Sequence, residues 1–338
     1  MVDVDRLDRN LRRWQAECDR LGLANRPHMK THKCVEIARR QLELGAVGLT
    51  CQKLGEAEVM VEAGLDDVLV PYNIVGEAKL ERLSALLARA TMTVSVDDEA
   101  LLPGLASAAE RTGRRLGVLV DCDTGLGRTG VQRPEDAAAL ALAVARHEGL
   151  RFDGFMTYPG FAEAGPFLAA AVEAAARTGL EARVVSAGGT PSMWKCERLL
   201  PTINEYRVGT YAFHDRKTVA AGAATLDDVA LTVTATVVSR PTRDRAILDA
   251  GSKSLTYDPG PDDARGLVLE APRSKLARVD EEHGYLELAD GDDLELGQQV
   301  RVVPNHACVV PNLFDELVVT RGGEVVDRWP VDARGRSR

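Results

Sequence analysis

The chain has 338 residues, of which 45% are hydrophobic and 28% are charged, a balance typical of a globular protein with a sizeable core. Its net charge of −9 arises from interspersed acids and bases, which disfavours a nucleic-acid or membrane partner. No apolar run reaches the roughly 20 residues of a membrane span, and no basic-then-apolar leader opens the sequence. Six cysteines without paired spacing predict reduced thiols and a cytoplasmic protein.

Short apolar strands alternate with amphipathic helices over the first two thirds of the chain. Eight strands are predicted, at residues 26–30, 47–52, 67–72, 91–96, 116–123, 152–159, 183–189 and 205–211. The segments between them show helical periodicity, as at residues 56–63 and 78–83. Eight successive strand–helix units predict a parallel (β/α)8 barrel, with a doubly wound open sheet as the competing arrangement.

After residue 225 the pattern changes to apolar and polar residues in alternation. This period of two appears at residues 229–238, 244–250, 284–289, 298–303 and 315–320, separated by Pro, Gly and Asp turns. The pattern predicts a second, mostly antiparallel β domain. Residues 258–265 are predicted to form a loop.

A lysine ends the first predicted strand. In a (β/α)8 barrel the functional residues gather at the C-terminal ends of the strands, and Lys30 lies at such an end. Together with a glycine-rich turn far downstream, Lys30 indicates a Schiff-base lysine that holds a phosphate-bearing aldehyde cofactor. The alternative interpretation is that Lys30 is one of 42 Lys and Arg side chains that face water.

The end of the seventh predicted strand carries two glycines followed by Thr190 and Pro191. Gly188 and Gly189 would let the backbone approach an anion closely, while Thr190 is predicted to cap a helix whose N-terminus binds phosphate. A tight turn without a ligand is the alternative. Gly209 and Thr210 follow strand eight, where barrels commonly bind phosphate.

Three further polar residues lie at or just after the ends of strands five and six. Tyr158 is interpreted as a hydrogen-bond partner of a cofactor ring or as an amphipathic tyrosine at the rim. Asp123 and Arg128 are predicted to form an ion pair at the mouth of the barrel, with a structural role.

The second domain carries His306 and Cys308 two residues apart. On an extended strand both side chains would face the same side, where an imidazole and a thiol suit a divalent ion such as zinc. Two protein ligands would leave positions open for water and substrate. A buried thiol beside a satisfied histidine is the alternative. His283 is predicted to lie in a turn, either as a surface residue without a function or as a residue that hydrogen-bonds a metal ligand.

In order along the chain, several segments resemble one family, the D-threonine aldolase/D-serine dehydratase family of fold-type III pyridoxal-phosphate enzymes, related to alanine racemase. The resemblance extends from Val4 to about Thr320. Its segments are RPHMKTHK, TCQKLGEAEVMVEAGLDDVLVPYNIVG, DTGLGRTGV, GGTP, EYRVGTYAFHD, DAGSKS, EEHG and PNHAC.

The resemblance implies an alanine-racemase-like barrel at residues 12–225 and a β domain made of residues 1–11 and 226–338, working as a homodimer. It implies pyridoxal 5'-phosphate and a divalent metal, zinc first, with manganese or magnesium as alternatives. By the same resemblance Lys30 is the Schiff-base lysine, Tyr158 lies near the pyridine nitrogen, and His306 and Cys308 bind the metal. The implied phosphate cradle consists of Gly188, Gly189, Thr190, Gly209 and Thr210, with Tyr211 beside it.

The function implied is that of a lyase acting on a small D-β-hydroxy amino acid. The His-x-Cys pair is similar to the dehydratase branch, which converts D-serine, D-threonine or 3-hydroxyaspartate to a 2-oxo acid and ammonia. Family aldolases place aspartate at the second position and release glycine and an aldehyde; this is the alternative. A non-catalytic cofactor-binding protein is less favoured, because binders of that type consist of a single barrel and lack the β domain with PNHAC. A racemase is also less favoured, because it needs a second base and Tyr257 and Tyr285 are the only candidate tyrosines in the β domain.

Overall fold

The computed structural model describes all 338 residues, Met1–Arg338. The chain divides into two compact units. The barrel unit comprises Trp14–Lys30, Val35–Gly209 and Gly335–Arg338, and the β unit comprises Met1–Arg13, Thr31–Cys34 and Thr210–Arg334. The domain limits given by the resemblance stay a prediction.

The chain contains seventeen strands and eight α-helices. The strands are β1 Val2–Asp3, β2 Ala24–Asn25, β3 Leu49–Thr50, β4 Asp67–Val70, β5 Thr91–Val96, β6 Leu116–Cys122, β7 Leu150–Thr157, β8 Val184–Gly188, β9 Glu205–Arg207, β10 Val233–Thr242, β11 Arg245–Leu248, β12 Gly266–Val268, β13 Lys275–Val279, β14 Gly284–Glu287, β15 Gln299–Pro304, β16 Glu316–Arg321 and β17 Glu324–Pro330. The helices are α1 Val4–Leu21, α2 Val35–Glu43, α3 Leu54–Glu62, α4 Glu77–Leu87, α5 Leu102–Glu110, α6 Pro134–Ala145, α7 Ala164–Ala176 and α8 Arg216–Ala220. Six 3-10 segments occupy Met29–Thr31, Glu99–Leu101, Thr190–Leu199, Thr210–Ala212, Leu226–Asp228 and Pro311–Leu313.

The barrel unit is built on one parallel sheet of eight strands. Their order is β2-β9-β8-β7-β6-β5-β4-β3, and every pairing is parallel. The two ends of the sheet meet at a single bridge between His28 and Thr50, supported by the Thr50 amide donating to the Pro27 carbonyl at 2.8 Å. The predicted parallel barrel is confirmed, and the eight strand ends therefore gather on one face.

The first strand is shorter than predicted. Strand β2 contains only Ala24–Asn25, and Lys30 lies in the 3-10 segment Met29–Thr31 and not on a strand. The reason is local, because Pro27 has no amide hydrogen to donate to a neighbouring strand, and only His28 pairs beyond it. Strand eight is likewise shorter, since β9 ends at Arg207.

Charged side chains fill the N-terminal end of the barrel interior, opposite the face where the strands end. The guanidinium of Arg26 contacts Asp67 at 2.6 Å and Glu205 at 2.7 Å, and Asp153 is paired with Arg151 at 2.7 Å. These groups line a cavity that also touches Leu69. Because these charges are paired with one another, we assign the N-terminal end of the barrel a structural role. The active site is expected at the C-terminal end.

The β unit contains two sheets. A six-stranded antiparallel sheet has the order β12-β15-β10-β11-β14-β13, and a three-stranded sheet has the order β1-β16-β17. Strand β1 runs parallel to β16, with Val2 opposite Val319. The predicted, mostly antiparallel second domain is confirmed.

Membrane spans and disulfides are both absent from the described chain. No helix combines the length and the apolar content that a membrane crossing requires. None of the six cysteines is joined to another, and five of the six are buried.

A buried histidine in the β unit predicts a pH-dependent stability. His214 is 3% exposed, and burial lowers its pKa from 6.5 to about 4, against the attraction of Asp228 and with a small repulsion from Arg13. Because the folded-state pKa lies below the unfolded value, stability is complete above about pH 6.5 and is lost as the pH falls towards 4. The expected loss is about 3 kcal/mol.

The measurement compares urea unfolding of the parent protein and His214→Asn at about pH 7 and about pH 4.5. Asparagine suits the left-handed conformation at this position, where φ is +52°, and it does not titrate in this range. The parent should lose more stability than the variant on acidification. Equal losses in both proteins would show that His214 is not the group responsible.

Candidate active site

Lys30 lies at the C-terminal face of the barrel sheet, in the turn that follows β2. The backbone of this turn is held by His28, whose Nδ1 accepts from the Lys30 amide at 3.4 Å. The other ring nitrogen of His28 lies 3.1 Å from Oε1 of Gln52. The lysine is half-buried. The contact between His28 and Gln52 ties the turn that carries it to the residues that follow strand β3.

The double-glycine turn after β8 can be built only from glycine. A Cβ on Gly188 would lie 2.5 Å from the Arg207 carbonyl oxygen, and Gly189 has a φ of +127°. The turn leads into the 3-10 helix that begins at Thr190. The predicted cap is wrong: Gly189 occupies the N-cap position, Thr190 is the first helical residue, and no side chain caps the helix. The reason is that the helix begins directly after the glycine turn, one residue earlier than the Thr–Pro pattern indicates.

Tyr158 lies beside this turn within the barrel unit. Its ring carbon Cε2 would be 3.3 Å from a Cβ placed on Gly189, and the residue is 38% exposed. The Cζ atom of Arg128 lies 5.1 Å from the ring centroid of Tyr158, a distance that permits a cation–π interaction. Tyr158 thus borders the glycine turn on one side and a guanidinium on the other.

The predicted ion pair between Asp123 and Arg128 is not formed. Asp123 Oδ1 accepts from the amides of Gly125, Leu126 and Gly127 at 2.9, 2.9 and 3.1 Å. These hydrogen bonds, led by that of Gly125, lower the pKa of Asp123. The carboxylate therefore serves to hold the loop, because backbone amides satisfy it within its own turn.

Gly209 ends the second segment of the barrel unit, and the next residues belong to the β unit. Thr210 and Tyr211 form a 3-10 turn with Ala212. Tyr211 is buried, with 1% exposure. Thr210 Oγ1 lies 3.6 Å from the Cys308 sulfur, so within the β unit the structure brings a predicted phosphate-binding residue beside a predicted metal ligand.

His306 and Cys308 lie in the turn after β15 and not on an extended strand as predicted. Strand β15 ends at Pro304, and the loop begins at Asn305, whose side chain donates to the carbonyls of Asp258 and Ala264. The turn nevertheless brings the pair together. A hydrogen bond to Cys308, with a further one to Asp258, raises the pKa of His306 to about 9.

A carboxylate orients the imidazole of His306. Asp258 Oδ2 lies 3.0 Å from His306 Nδ1 and 3.0 Å from Lys217 Nζ. The hydrogen bond from Lys217, with that from His306, lowers the pKa of Asp258, so the carboxylate is ionised and acts only as an acceptor. The Nδ1 atom must then carry the hydrogen, which leaves Nε2 as the nitrogen that can bind a metal.

The turn between the two predicted ligands is held by a buried aspartate. Asp215 Oδ2 accepts from the Ala307 amide at 2.9 Å, and its other oxygen accepts from the Thr218 amide at 2.8 Å. Thr31, the residue after Lys30 in the chain, places its hydroxyl 3.1 Å from the Cys308 sulfur. Asp215 therefore fixes the backbone from which the imidazole and the thiol project.

The donor set fits a divalent ion with open coordination positions. No group of three or more His, Cys, Asp or Glu residues in the chain has the arrangement of a closed metal site. One imidazole nitrogen and one thiolate suit zinc, and the remaining positions would be available to water and substrate. At the double-glycine turn, the helix that follows begins without a side-chain cap, and a helix N-terminus of this kind suits an anionic group.

Substitution of Asp258 should weaken metal binding. We expect Asp258→Asn to raise the metal dissociation constant about 10- to 100-fold, because the amide can donate to Nδ1 and so place the hydrogen on Nε2. The matched control is Asp262→Asn, which loses a contact of 2.9 Å to Arg216 in the same loop without touching His306. Metal titration of the chelator-treated proteins measures the effect. Equal dissociation constants in Asp258→Asn and the parent would contradict it.

The remaining candidates lie apart from these clusters. His283 is exposed in a turn where its carbonyl accepts from the Asp280 amide at 2.9 Å. The Tyr285 hydroxyl donates to Asp280 at 2.6 Å. Tyr257 is 65% exposed, and the Arg265 guanidinium lies over its ring. Asp280 therefore holds the tyrosine that could otherwise act as a second base.

Family models match almost the whole chain. Residues 2–217 match the alanine racemase N-terminal domain, and residues 230–320 match a serine dehydratase domain. The D-threonine aldolase of Arthrobacter sp is 37% identical over 360 residues, covering 100% of this chain and 92% of that protein.

Solved structures agree with this assignment. The crystal structure of D-threonine aldolase from Filomicrobium marinum is 36% identical with a TM-score of 0.93, covering 100% of this chain and 95% of that one. The D-threo-3-hydroxyaspartate dehydratase from Delftia sp. HT23 is 31% identical with a TM-score of 0.86, covering 97% and 95%. A cysteine-to-alanine variant of that dehydratase is described as being in the metal-free form. The chain belongs to the D-threonine aldolase/D-serine dehydratase family of fold-type III pyridoxal-phosphate enzymes and is a lyase of that family.

Proposed function

We propose that the protein is a D-serine dehydratase-type lyase that uses pyridoxal 5'-phosphate and a divalent metal. Its substrate is a small D-β-hydroxy amino acid, converted to a 2-oxo acid and ammonia. The observation that carries the proposal is the turn after β15, which carries both His306 and Cys308 and in which Nδ1 of the imidazole lies 3.0 Å from Asp258 Oδ2.

The cofactor residues have separate tasks in this proposal. Lys30 is the covalent attachment point, and Tyr158 lies at the pyridine nitrogen. The phosphate is received by the glycine turns and the residues beside them, namely Gly188, Gly189, Thr190, Gly209, Thr210 and Tyr211. Pyridoxal phosphate supplies an electron sink for negative charge at the substrate Cα. The helix that begins at Thr190 has no side-chain cap, and an uncapped helix N-terminus next to the glycine turn supports this assignment.

His306 and Cys308 would hold the divalent ion, zinc in the first place and manganese or magnesium as alternatives. A divalent ion supplies Lewis acidity towards the β-hydroxyl of the substrate. The description of a dehydratase variant as a metal-free form supports this, because it indicates that this relative also has a metal-bound form. Lys30 is followed directly by Thr31, whose hydroxyl contacts the Cys308 sulfur within the β unit.

In the proposed dehydration, Lys30 is the residue that moves a proton. The substrate amine would first displace Lys30 from the cofactor, and the freed Lys30 amine would then take the proton from Cα. Delivery of that proton to the β-hydroxyl would let the hydroxyl leave as water. The released enamine would tautomerise to an imine, and hydrolysis of that imine by one water would give the 2-oxo acid and ammonia. Asp258 and Asp215 keep His306 and Cys308 in place during this exchange.

Retro-aldol cleavage is the second candidate, favoured by the overall similarity to two D-threonine aldolases at 37% and 36% identity. In that reaction the β-hydroxyl loses its proton, the Cα–Cβ bond breaks, and glycine and an aldehyde result. The two reactions share the lysine and the glycine turns. The His-x-Cys pair favours dehydration, since the aldolases of the family place aspartate at the second position.

Product analysis separates the two functions. The metal-loaded holoenzyme is incubated with D-serine, D-threonine and 3-hydroxy-D-aspartate, and 2-oxo acid, ammonia and glycine are measured together. Equal amounts of 2-oxo acid and ammonia without glycine support the dehydratase. Glycine in amounts equal to the aldehyde supports the aldolase. An absence of product from all three substrates would contradict both.

We also propose that the enzyme works as a homodimer in the cytoplasm, as the family implies. Light scattering at working concentrations measures the mass directly. A mass equal to that of the 36.5 kDa chain would contradict the dimer.

A further inference from the structure

Thr31 and Cys308 both belong to the β unit, and their side chains are in contact. Thr31 Oγ1 lies 3.1 Å from the Cys308 sulfur, and the Thr31 hydroxyl forms no other hydrogen bond. Thr31 is completely buried, with 0% exposure, so solvent does not reach the hydroxyl. Buried hydroxyl groups in proteins are hydrogen-bonded as a rule, and here the sulfur is the atom that satisfies the group.

The direction of this hydrogen bond is fixed when Cys308 holds a metal. Either atom of the pair can be the donor while the sulfur is a thiol. A cysteine binds a metal as the thiolate, which has no hydrogen to give. The Thr31 hydroxyl must then donate, and the contact becomes a charge-assisted hydrogen bond to an anionic sulfur, which is stronger than a bond between neutral groups.

The segment that carries Thr31 is anchored within the β unit. The carbonyl of Lys33 accepts from the Ala333 amide at 3.0 Å, and the Lys33 ammonium donates to Asn312 at 2.9 Å. Lys33 has a left-handed φ of +52°, a conformation that a lysine adopts only where the surrounding contacts enforce it. The hydroxyl of Thr31 is therefore presented to the sulfur from a backbone that is held in place.

The sulfur is also held, and a second hydroxyl lies farther from it. Asp215 accepts from the Ala307 amide at 2.9 Å and so fixes the residue before Cys308. Thr210 Oγ1 lies 3.6 Å from the sulfur, and Thr210 is only half-buried. The shorter distance and the complete burial make Thr31 the principal donor to the sulfur.

A hydrogen bond to a metal-bound thiolate reduces the negative charge that the sulfur gives to the ion. Groups that bond to metal ligands tune the ligand and the ion in this way. Cys308 is the anionic member of the predicted pair, since a histidine binds a metal as the neutral imidazole. An ion that receives less charge from the sulfur is the stronger Lewis acid, which is the property that the proposed reaction requires.

We propose that Thr31 is a positioning residue of the metal centre, whose hydroxyl donates to the Cys308 thiolate and limits the charge that the sulfur gives to the ion. This inference rests on the proposed function, in which His306 and Cys308 hold a divalent ion. It adds a residue that acts on the metal through a ligand and touches neither the ion nor the substrate.

The test reads the bond between metal and sulfur in the holoprotein without substrate. The parent, Thr31→Val and Thr31→Ser are treated with chelator, and Co²⁺ is added to each as the probe. The Co²⁺-minus-metal-free difference spectrum shows the near-ultraviolet charge-transfer band from thiolate to ion. Valine has the shape of threonine without the hydroxyl, so the band should move to longer wavelength in Thr31→Val. It should keep the parent position in Thr31→Ser, which retains the hydroxyl.

Thr320→Val is the matched control, because Thr320 is also buried in the β unit but donates to the Val2 carbonyl at 3.3 Å. This variant should show the parent band. The kcat of the metal-saturated enzyme, with a substrate that the parent converts, should fall about 10- to 100-fold in Thr31→Val, the usual effect of removing a group that bonds to a metal ligand. Thr31→Ser and Thr320→Val should keep the parent kcat.

An unmoved band in Thr31→Val, or an equal shift in Thr31→Ser, would overturn the inference and leave the proposed function intact. Loss of the pyridoxal phosphate absorbance in Thr31→Val before metal is added would also overturn it, because Thr31 would then serve the turn that carries Lys30. A parent protein without any charge-transfer band after addition of Co²⁺ would contradict the metal pair itself, and with it both the proposed function and the inference.

Discussion

Lys30→Ala is expected to lose both the covalently held cofactor and the lyase activity. The variant lacks the amine that forms the Schiff base and that takes the α-proton, and loss of a general base alone typically costs about 10²- to 10⁴-fold in rate. Visible absorbance after reconstitution with pyridoxal phosphate reports the link, and substrate turnover reports the base. We expect the parent absorbance band to disappear and turnover to fall at least 10³-fold, within that range.

The control for this prediction is Lys33→Arg. Lys33 is three residues away, and its ammonium donates to Asn312 at 2.9 Å, a contact that arginine can retain. This variant should keep the absorbance band and the turnover. Retention of both properties in Lys30→Ala would show that another group carries the cofactor.

Removal of the metal pair is expected to abolish turnover and to leave the cofactor attached. Cys308→Ala and chelator treatment of the parent should each lower the rate at least about 100-fold, because the hydroxyl of the substrate loses its Lewis acid. The visible absorbance should stay, since Lys30 is untouched. Turnover and absorbance measured on the same sample distinguish loss of the metal from loss of pyridoxal phosphate.

Cys196→Ala is the matched thiol control, since Cys196 is a buried cysteine in the 3-10 helix after β8. It should retain its metal content and most of its rate. Full activity in chelated parent protein, or in Cys308→Ala, would show that His306 and Cys308 have a structural role in the β unit.

The fold could be predicted from the sequence because it depends on patterns that repeat. Apolar strands between amphipathic helices indicate the parallel barrel, and alternating residues indicate the antiparallel sheet. The predicted limits fail where one residue interrupts a pattern. Pro27 shortens the first strand, and Gly189 replaces Thr190 as the helix cap.

The candidate site could be predicted only in part. The ends of strands can be inferred from the local sequence, whereas contacts between residues far apart in the chain cannot. Lys30 and the double-glycine turn follow predicted strands, and so were found. Asp258 and Asp215 hold the His306 turn from 48 and 92 residues away, and no local signal marks them.

Arg128 was assigned to Asp123, but the backbone amides of a tight turn compete better for that carboxylate. A pairing chosen from sequence proximity alone does not account for such backbone donors.

Mapping the attachment site of the cofactor tests the central claim most directly. The holoenzyme is treated with borohydride, which makes a Schiff base permanent, and is then digested for peptide mass spectrometry. The pyridoxyl group should be found on Lys30, in the peptide that contains Arg26–Thr31. A modification on Lys33 or on any other lysine, or no modification in reconstituted protein, would contradict the assignment of this barrel face as the active site.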